Sequence, residues 1–192
     1  DETRLAENVH DKTRSPLCGF LALQEPLSVI FESDVYFRFC FVRNPYTRVL
    51  SCYLDKIAGR RRARFLPKLG FAPEQDVTLG EFLERLAACR RLLRLNPHWA
   101  PQSFLIRPDR IRYHFIGRFE HLESHLRLLA ATLGYEHLLA DPDRVAVRPH
   151  RTDAGERVRE YIGGREAALI QRVYRDDFLT FGYSLDPRFC TA

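Results

Sequence analysis

The sequence predicts an α/β domain with a mostly parallel central sheet flanked by helices. Two stretches rich in aromatic and β-branched residues, Val35–Val42 and Tyr113–Gly117, are near-continuously apolar, the pattern of buried central strands. Helical periodicity follows each of them, and strands alternating with helices call for parallel pairing. The chain has 192 residues and 45% hydrophobic content, enough for one domain with a sizeable core.

Taken in order, Leu17–Leu23 is apolar and stopped by Glu25-Pro26, which predicts a short helix. The first strand ends at Arg43-Asn44-Pro45, and proline favours the first turn of a helix. Val49, Leu50, Tyr53, Leu54 and Ile57 then recur at helical spacing, so Arg43 closes a strand and Ser51 lies about two turns into the next helix. Residues 59–75, basic and broken by Pro and Gly, are expected to form a loop and not a core element. Thr78 with Glu81 is a capping-box signature for a helix whose apolar face is Phe82, Leu83, Leu86, Ala87 and Leu93. Asn96–Gln102 breaks that helix. After the second strand, residues 120–133 predict an amphipathic helix ended by Gly134. Residues 141–151 are expected to be loop, Asp153 with Glu156 a capped helix start, and 165–179 one last long helix.

The net charge is +5, and lysine occurs only at Lys12, Lys56 and Lys68. Arginine presents a planar fork suited to phosphate and sulfate oxygens, so nucleic acid, anionic polysaccharide or a nucleotide all suit the charge. Arg60-Arg61-Arg62 with Arg64 is the densest run: a flexible basic loop, or a contact for an acidic chain. The five cysteines lack metal-ligand spacing. Cys40 and Cys52 fall within strand and helix patterns as small hydrophobes, and the odd count leans towards a reducing compartment. No apolar run reaches the roughly 20 residues of a membrane span, and Asp1–Arg4 is not the start of a signal peptide.

In parallel sheets ligands bind beyond the carboxyl ends of strands, which makes Arg43 a site candidate. Arg43-x-Pro45-x-x-Arg48-x-x-Ser51-x-Tyr53 sets two guanidinium forks and a hydroxyl around one strand-to-helix turn, groups that a phosphate dianion would take. The alternative for Arg48 is a bond to an internal carboxylate.

The segment Phe39–Lys56 resembles the 3′-phosphate-binding segment of the carbohydrate sulfotransferases of the family 2 type, the group with the chondroitin and HNK-1 enzymes. Asn96–Gln102, Phe115–Glu120, and Tyr174 with Asp177-Phe178 and Phe181-Gly182-Tyr183 resemble the same family, in order and spacing. The resemblance implies a P-loop nucleotide-kinase-like sulfotransferase fold. It also implies transfer of a sulfuryl group from 3′-phosphoadenosine-5′-phosphosulfate (PAPS) to a hydroxyl of an acceptor, most naturally a glycan. Arg43 and Ser51 would hold the donor's 3′-phosphate, and Arg151, in Pro149-His150-Arg151-Thr152, would add a third contact. Members of the family open with a strand and a Pro-Lys-x-Gly-x-Thr/Ser loop that holds the 5′-phosphosulfate. No such stretch occurs here, so the sequence is expected to be a single domain over 1–192 without that strand and loop, with weak turnover.

Transfer to an alcohol needs a general base. His10, by chain order in the place of the catalytic histidine of related enzymes, and His98, beside Trp99, are the two candidates; His114, His121, His125 and His137 fall on strand or helix faces without a chemical role. No metal is expected. The rivals are a sulfotransferase-like binding domain without chemistry, a kinase, and an arginine-rich nucleic-acid binder. A kinase would need a Gly-x-x-x-x-Gly-Lys-Ser/Thr stretch, which is lacking, and no nucleic-acid motif is present. The arginine-heavy composition leans towards a bacterial cytoplasm, with the Golgi lumen as the setting if an anchor has been removed.

Overall fold

The computed structural model describes residues 24–139 and 153–191. The helix expected at Leu17–Leu23 and the loop expected at 141–151 lie outside them. The first described elements are α1 (Leu27–Glu32), β1 (Phe39–Val42) and α2 (Pro45–Cys52), the last running on into one π-helical turn, Tyr53–Ile57. Next come α3 (Arg62–Phe65) with a 3-10 turn over Leu66–Leu69, α4 (Leu79–Ala88), and α5 (Gln102–Ile106). β2 (Phe115–Arg118) leads into α6 (Leu122–Leu133), and α7 (Ala154–Tyr161), α8 (Gly164–Val173) and α9 (Arg175–Phe181) complete the order.

Among the described residues the sheet is β1 and β2 alone, parallel as expected, with Phe39 opposite Phe115 and Val42 opposite Arg118. Both strands are shorter than the apolar runs that announced them. Val35 is 86% exposed and Phe39 47%, whereas Val42 is 2% exposed. The expected fully buried strand is therefore buried only at its carboxyl end, where the chain turns into the buried α2. Register also explains a residue choice. Gly117 faces Phe41, and a Cβ there would come 2.3 Å from the Phe41 ring.

Arg38 ties the entrance of the sheet together. It is 7% exposed, and its guanidinium donates to the carbonyls of Arg112 at 2.7 Å, Ile30 at 3.1 Å and Ser33 at 2.5 Å. Satisfying a buried cation with carbonyls avoids the cost of desolvating it unpaired.

The core lies among the helices. α4 starts at the expected capping box: Thr78 Oγ1 accepts from Glu81 N at 3.2 Å and Glu81 Oε2 accepts from Thr78 N at 2.7 Å. Its Phe82, Leu83 and Leu86 are buried completely, and α4 packs against α8. Trp99, also fully buried, meets Phe65 and Phe82 edge-on with ring centroids 6.1 Å away. α6 ends at Gly134, whose φ of 72° is the left-handed cap that glycine takes most easily.

Three expectations need correction. Residues 59–75 are not a plain loop: α3 and the turn after it bury Phe65, Leu66 and Leu69 at one-turn spacing. The cations of Lys56, Arg64 and Lys68 lie within 5.7 Å of the Phe65 ring centroid, so basic residues surround an apolar anchor. The long helix of 165–179 is broken at Tyr174, with φ −110° and ψ 25°, into α8 and α9. Asp153 does precede α7, but it has φ 46° and makes no side-chain cap hydrogen bond.

Candidate functional site

The turn from β1 into α2 places Arg43 just past the carboxyl end of its strand. Asn44 caps α2, its Oδ1 accepting from Tyr46 N at 3.0 Å, and Pro45 takes the first helical position, where a missing N–H costs nothing. Gln102 grips the turn by its backbone: Oε1 accepts from Arg43 N at 2.8 Å and Nε2 donates to Arg43 O at 2.7 Å. Glu120 holds the next residue, Oε1 accepting from Asn44 N at 2.7 Å and Oε2 from the Tyr183 hydroxyl at 3.0 Å.

The Arg43 side chain is fixed at its base and open at its fork. Nε donates to Thr47 Oγ1 at 3.0 Å, and the guanidinium lies 5.0 Å from the centre of the Phe119 ring. Among the described residues its two terminal nitrogens donate no hydrogen bond, and no buried side-chain polar atom is left without a partner. Among the described residues the fork is thus uncommitted. Burial pulls its pKa down from the ordinary value, Glu120 opposes that, and Arg48 adds to it; an arginine stays a cation through such a change.

Ser51 lies on α2, two turns beyond Arg43 and half-buried, with Thr47 between them at helical spacing. Arg48 has another task. Its Nη1 donates to Ala100 O and its Nη2 to Pro97 O, both at 2.7 Å, so it clamps the Asn96–Gln102 loop to α2. Among the described residues backbone carbonyls, and not an internal carboxylate, take this guanidinium. The neighbouring Cys52 thiol is pushed up to about 12 by burial, which leaves it an inert hydrophobe. Cys40, half-buried, is pushed up to about 11 for the same reason.

That loop carries His98. Asn96 Oδ1 accepts from His98 N at 2.8 Å and lies 2.6 Å from His98 Nδ1. Because that oxygen is already an acceptor, Nδ1 carries the proton towards it, and the lone pair is on Nε2. Partial desolvation, then the cation of Lys56, lower the imidazole's pKa; Asp55 works against them, and Arg48 and Arg61 with them. His98 is therefore a surface-facing imidazole held below the ordinary histidine range. His10 and Arg151 lie outside the described residues. His114 and His125 serve the backbone, their Nδ1 atoms accepting from Arg38 N at 3.1 Å and Arg118 N at 2.7 Å. Among the described residues no three His, Cys, Asp or Glu side chains gather as for a metal ion.

A second layer went unassigned in the sequence. Asp177, fully buried, accepts from Gln102 N and Ser103 N at 2.7 Å and from Ser103 Oγ at 2.6 Å, which fixes the first turn of α5 and with it Gln102. The Tyr174 hydroxyl donates to Trp99 O at 2.9 Å. Arg118 donates to Phe181 O at 2.8 Å and lies 4.8 Å from the Tyr183 ring centre. The signal was present: these residues belong to the stretches that carry the family resemblance, but their jobs need the fold.

The fold and this turn define a class: an α/β protein that presents an open guanidinium fork at a strand-to-helix turn. Residues 4–184 match the sulfotransferase family, and the chain belongs to it. Human carbohydrate sulfotransferase 14 is 31% identical over 180 residues, covering 86% of this chain and 47% of that protein. Rat carbohydrate sulfotransferase 10 is 28% identical over 202 residues (93% and 56%), and rat carbohydrate sulfotransferase 11 is 25% identical over 167 (78% and 47%). The chain thus spans about half the length of the curated relatives it matches. No solved structure matches it. These relatives overturn the expectation of a bacterial cytoplasmic protein, since they are vertebrate carbohydrate sulfotransferases, the group for which the resemblance implied the Golgi. No helix among the described residues is long and apolar enough to cross a membrane.

Proposed function

We propose that this chain contributes the donor 3′-phosphate site and a general base to sulfuryl transfer from PAPS to a carbohydrate hydroxyl, within one sulfotransferase domain of nucleotide-kinase-like fold. The observation that supports it most is the Arg43 fork, held at Nε by Thr47 and across its face by Phe119, with both terminal nitrogens uncommitted among the described residues. A phosphate dianion takes such a fork through two parallel hydrogen bonds. Ser51, on the same helix, is assigned the companion contact, and Arg151 a third.

In the reaction the acceptor oxygen attacks the donor sulfur in line, and the bond from sulfur to the bridging phosphate oxygen breaks. The acceptor's proton passes to a histidine, and the nucleotide leaves as 3′-phosphoadenosine 5′-phosphate. With Nδ1 turned to Asn96 Oδ1, His98 would take the proton at Nε2, and His10 is the other candidate. Relatives named as carbohydrate sulfotransferases support a sugar acceptor.

Calorimetric titration with 3′-phosphoadenosine 5′-phosphate tests the donor site. The wild-type chain is expected to bind it, and Arg43→Ala to weaken binding by roughly 1.5–3 kcal/mol, the range of a hydrogen bond to a charged group. Equal affinity in the two proteins would remove Arg43 from the site. A sulfotransferase-like domain that binds the nucleotide without chemistry is the second reading; it predicts the same titration but no sulfated product.

A further inference from the structure

Away from Arg43, the turn after α4 forms one wall of a cleft of about 940 Å³ that α5 and α9 complete. Arg90, Arg91 and Arg94 line it, all exposed, and among the described residues none of the three is in an ion pair. The Arg94 guanidinium is steadied 5.1 Å from the centre of the Phe104 ring, and Phe104 is 41% exposed. Arg107, with φ 48°, closes the far side, its Nε and Nη2 paired with Asp109 at 2.9 and 2.7 Å. Four arginines therefore meet two carboxylates, Asp109 and Asp176, and the first of these is already taken.

We propose that this cleft is a second carbohydrate site, which holds acidic units of an anionic glycan apart from the hydroxyl that reacts. The proposal rests on the reading that the acceptor is a carbohydrate. Uncommitted guanidinium forks suit carboxylate and sulfate groups, and a partly exposed aromatic ring suits the apolar face of a sugar. Asp176 and the hydroxyls of Ser103 and Thr180 add partners for sugar hydroxyls. That mixture argues against a polynucleotide, which rewards a longer, purely cationic track. Position supports it too. Pro101 and Ser103 line the cleft, while Gln102 between them bonds to the Arg43 backbone. The start of α5 is thus shared by the cleft and by the contact that holds the turn with Arg43.

The test is direct binding by calorimetry, without donor, of size-defined hyaluronan and chondroitin sulfate oligosaccharides, with neutral dextran and single-stranded DNA alongside. Arg90→Ala/Arg94→Ala is expected to lower the affinity for at least one acidic oligosaccharide by about tenfold or more, two charged contacts being lost. Affinity for 3′-phosphoadenosine 5′-phosphate should stay within about twofold, because neither arginine touches that turn. Arg60→Ala/Arg61→Ala, on the other basic run, should leave glycan affinity unchanged. The hyaluronan and chondroitin arms tell carboxylate from sulfate recognition. Three results would overturn the site: unchanged glycan affinity in Arg90→Ala/Arg94→Ala, an equal loss in Arg60→Ala/Arg61→Ala, or DNA bound more tightly than either glycan. Normal nucleotide binding alongside such a result would place the failure in the cleft and not in the donor site.

Discussion

Two cations five residues apart, Arg43 and Arg48, have opposite fates. Arg48 uses both terminal nitrogens on carbonyls of the Asn96–Gln102 loop, while among the described residues Arg43 bonds only through Nε. Spacing could propose both as ligands; hydrogen-bond partners separate them. His98 shows the same effect for a base. Its imidazole pKa is lowered, so the neutral form persists to a lower pH than in an unperturbed histidine of about 6.5. If His98 is the base, the acidic limb of kcat/KM against pH should fall below about 6.5, and His98→Gln should abolish that limb while leaving nucleotide affinity unchanged. A limb that survives in His98→Gln assigns the proton to another group, His10 first.

At the scale of elements, local chemistry was the more legible part. The α4 capping box, Pro45 at the start of α2 and Gly134 at the end of α6 all act within a few residues, and each was visible in the sequence. Thr78→Ala should therefore cost about 1 kcal/mol of stability, measured as a lower denaturation midpoint with unchanged slope. Strand lengths and the break at Tyr174 were not legible. Tyr174 and Asp177 both turn to the 99–103 segment, Tyr174 to the Trp99 carbonyl and Asp177 to Gln102 and Ser103, and no glycine or proline marks the place where the helix stops. Residues 59–75 misled for a related reason. Basic side chains look like a solvated loop until an aromatic ring is placed among them.

At the scale of the molecule, the turn that carries Arg43 is held from a distance. Asp177 fixes Gln102, 75 residues before it, and Gln102 fixes the Arg43 backbone, 59 residues before that. Asp177→Asn, which replaces one acceptor oxygen by a donor beside a donating N–H, should destabilise the fold by about 1–3 kcal/mol. It should also weaken 3′-phosphoadenosine 5′-phosphate binding although Asp177 lies behind the turn; full affinity in a folded Asp177→Asn protein would show that the relay does not position Arg43.

The sequence by itself determined the α/β class, the parallel pairing, the family and the strand-to-helix turn with Arg43 at its head. The class and the turn follow from periodicity and short-range capping, the parallel pairing from the alternation of strands with helices, and the family from the resemblance of its motif segments. Packing across the fold decided which arginine keeps its fork unbonded among the described residues, which residues hold its backbone, and that four arginines line one cleft with Phe104. Each of these depends on which buried polar groups find partners across the fold, and a desolvated donor must bond to whatever the packing brings within about 3 Å of it.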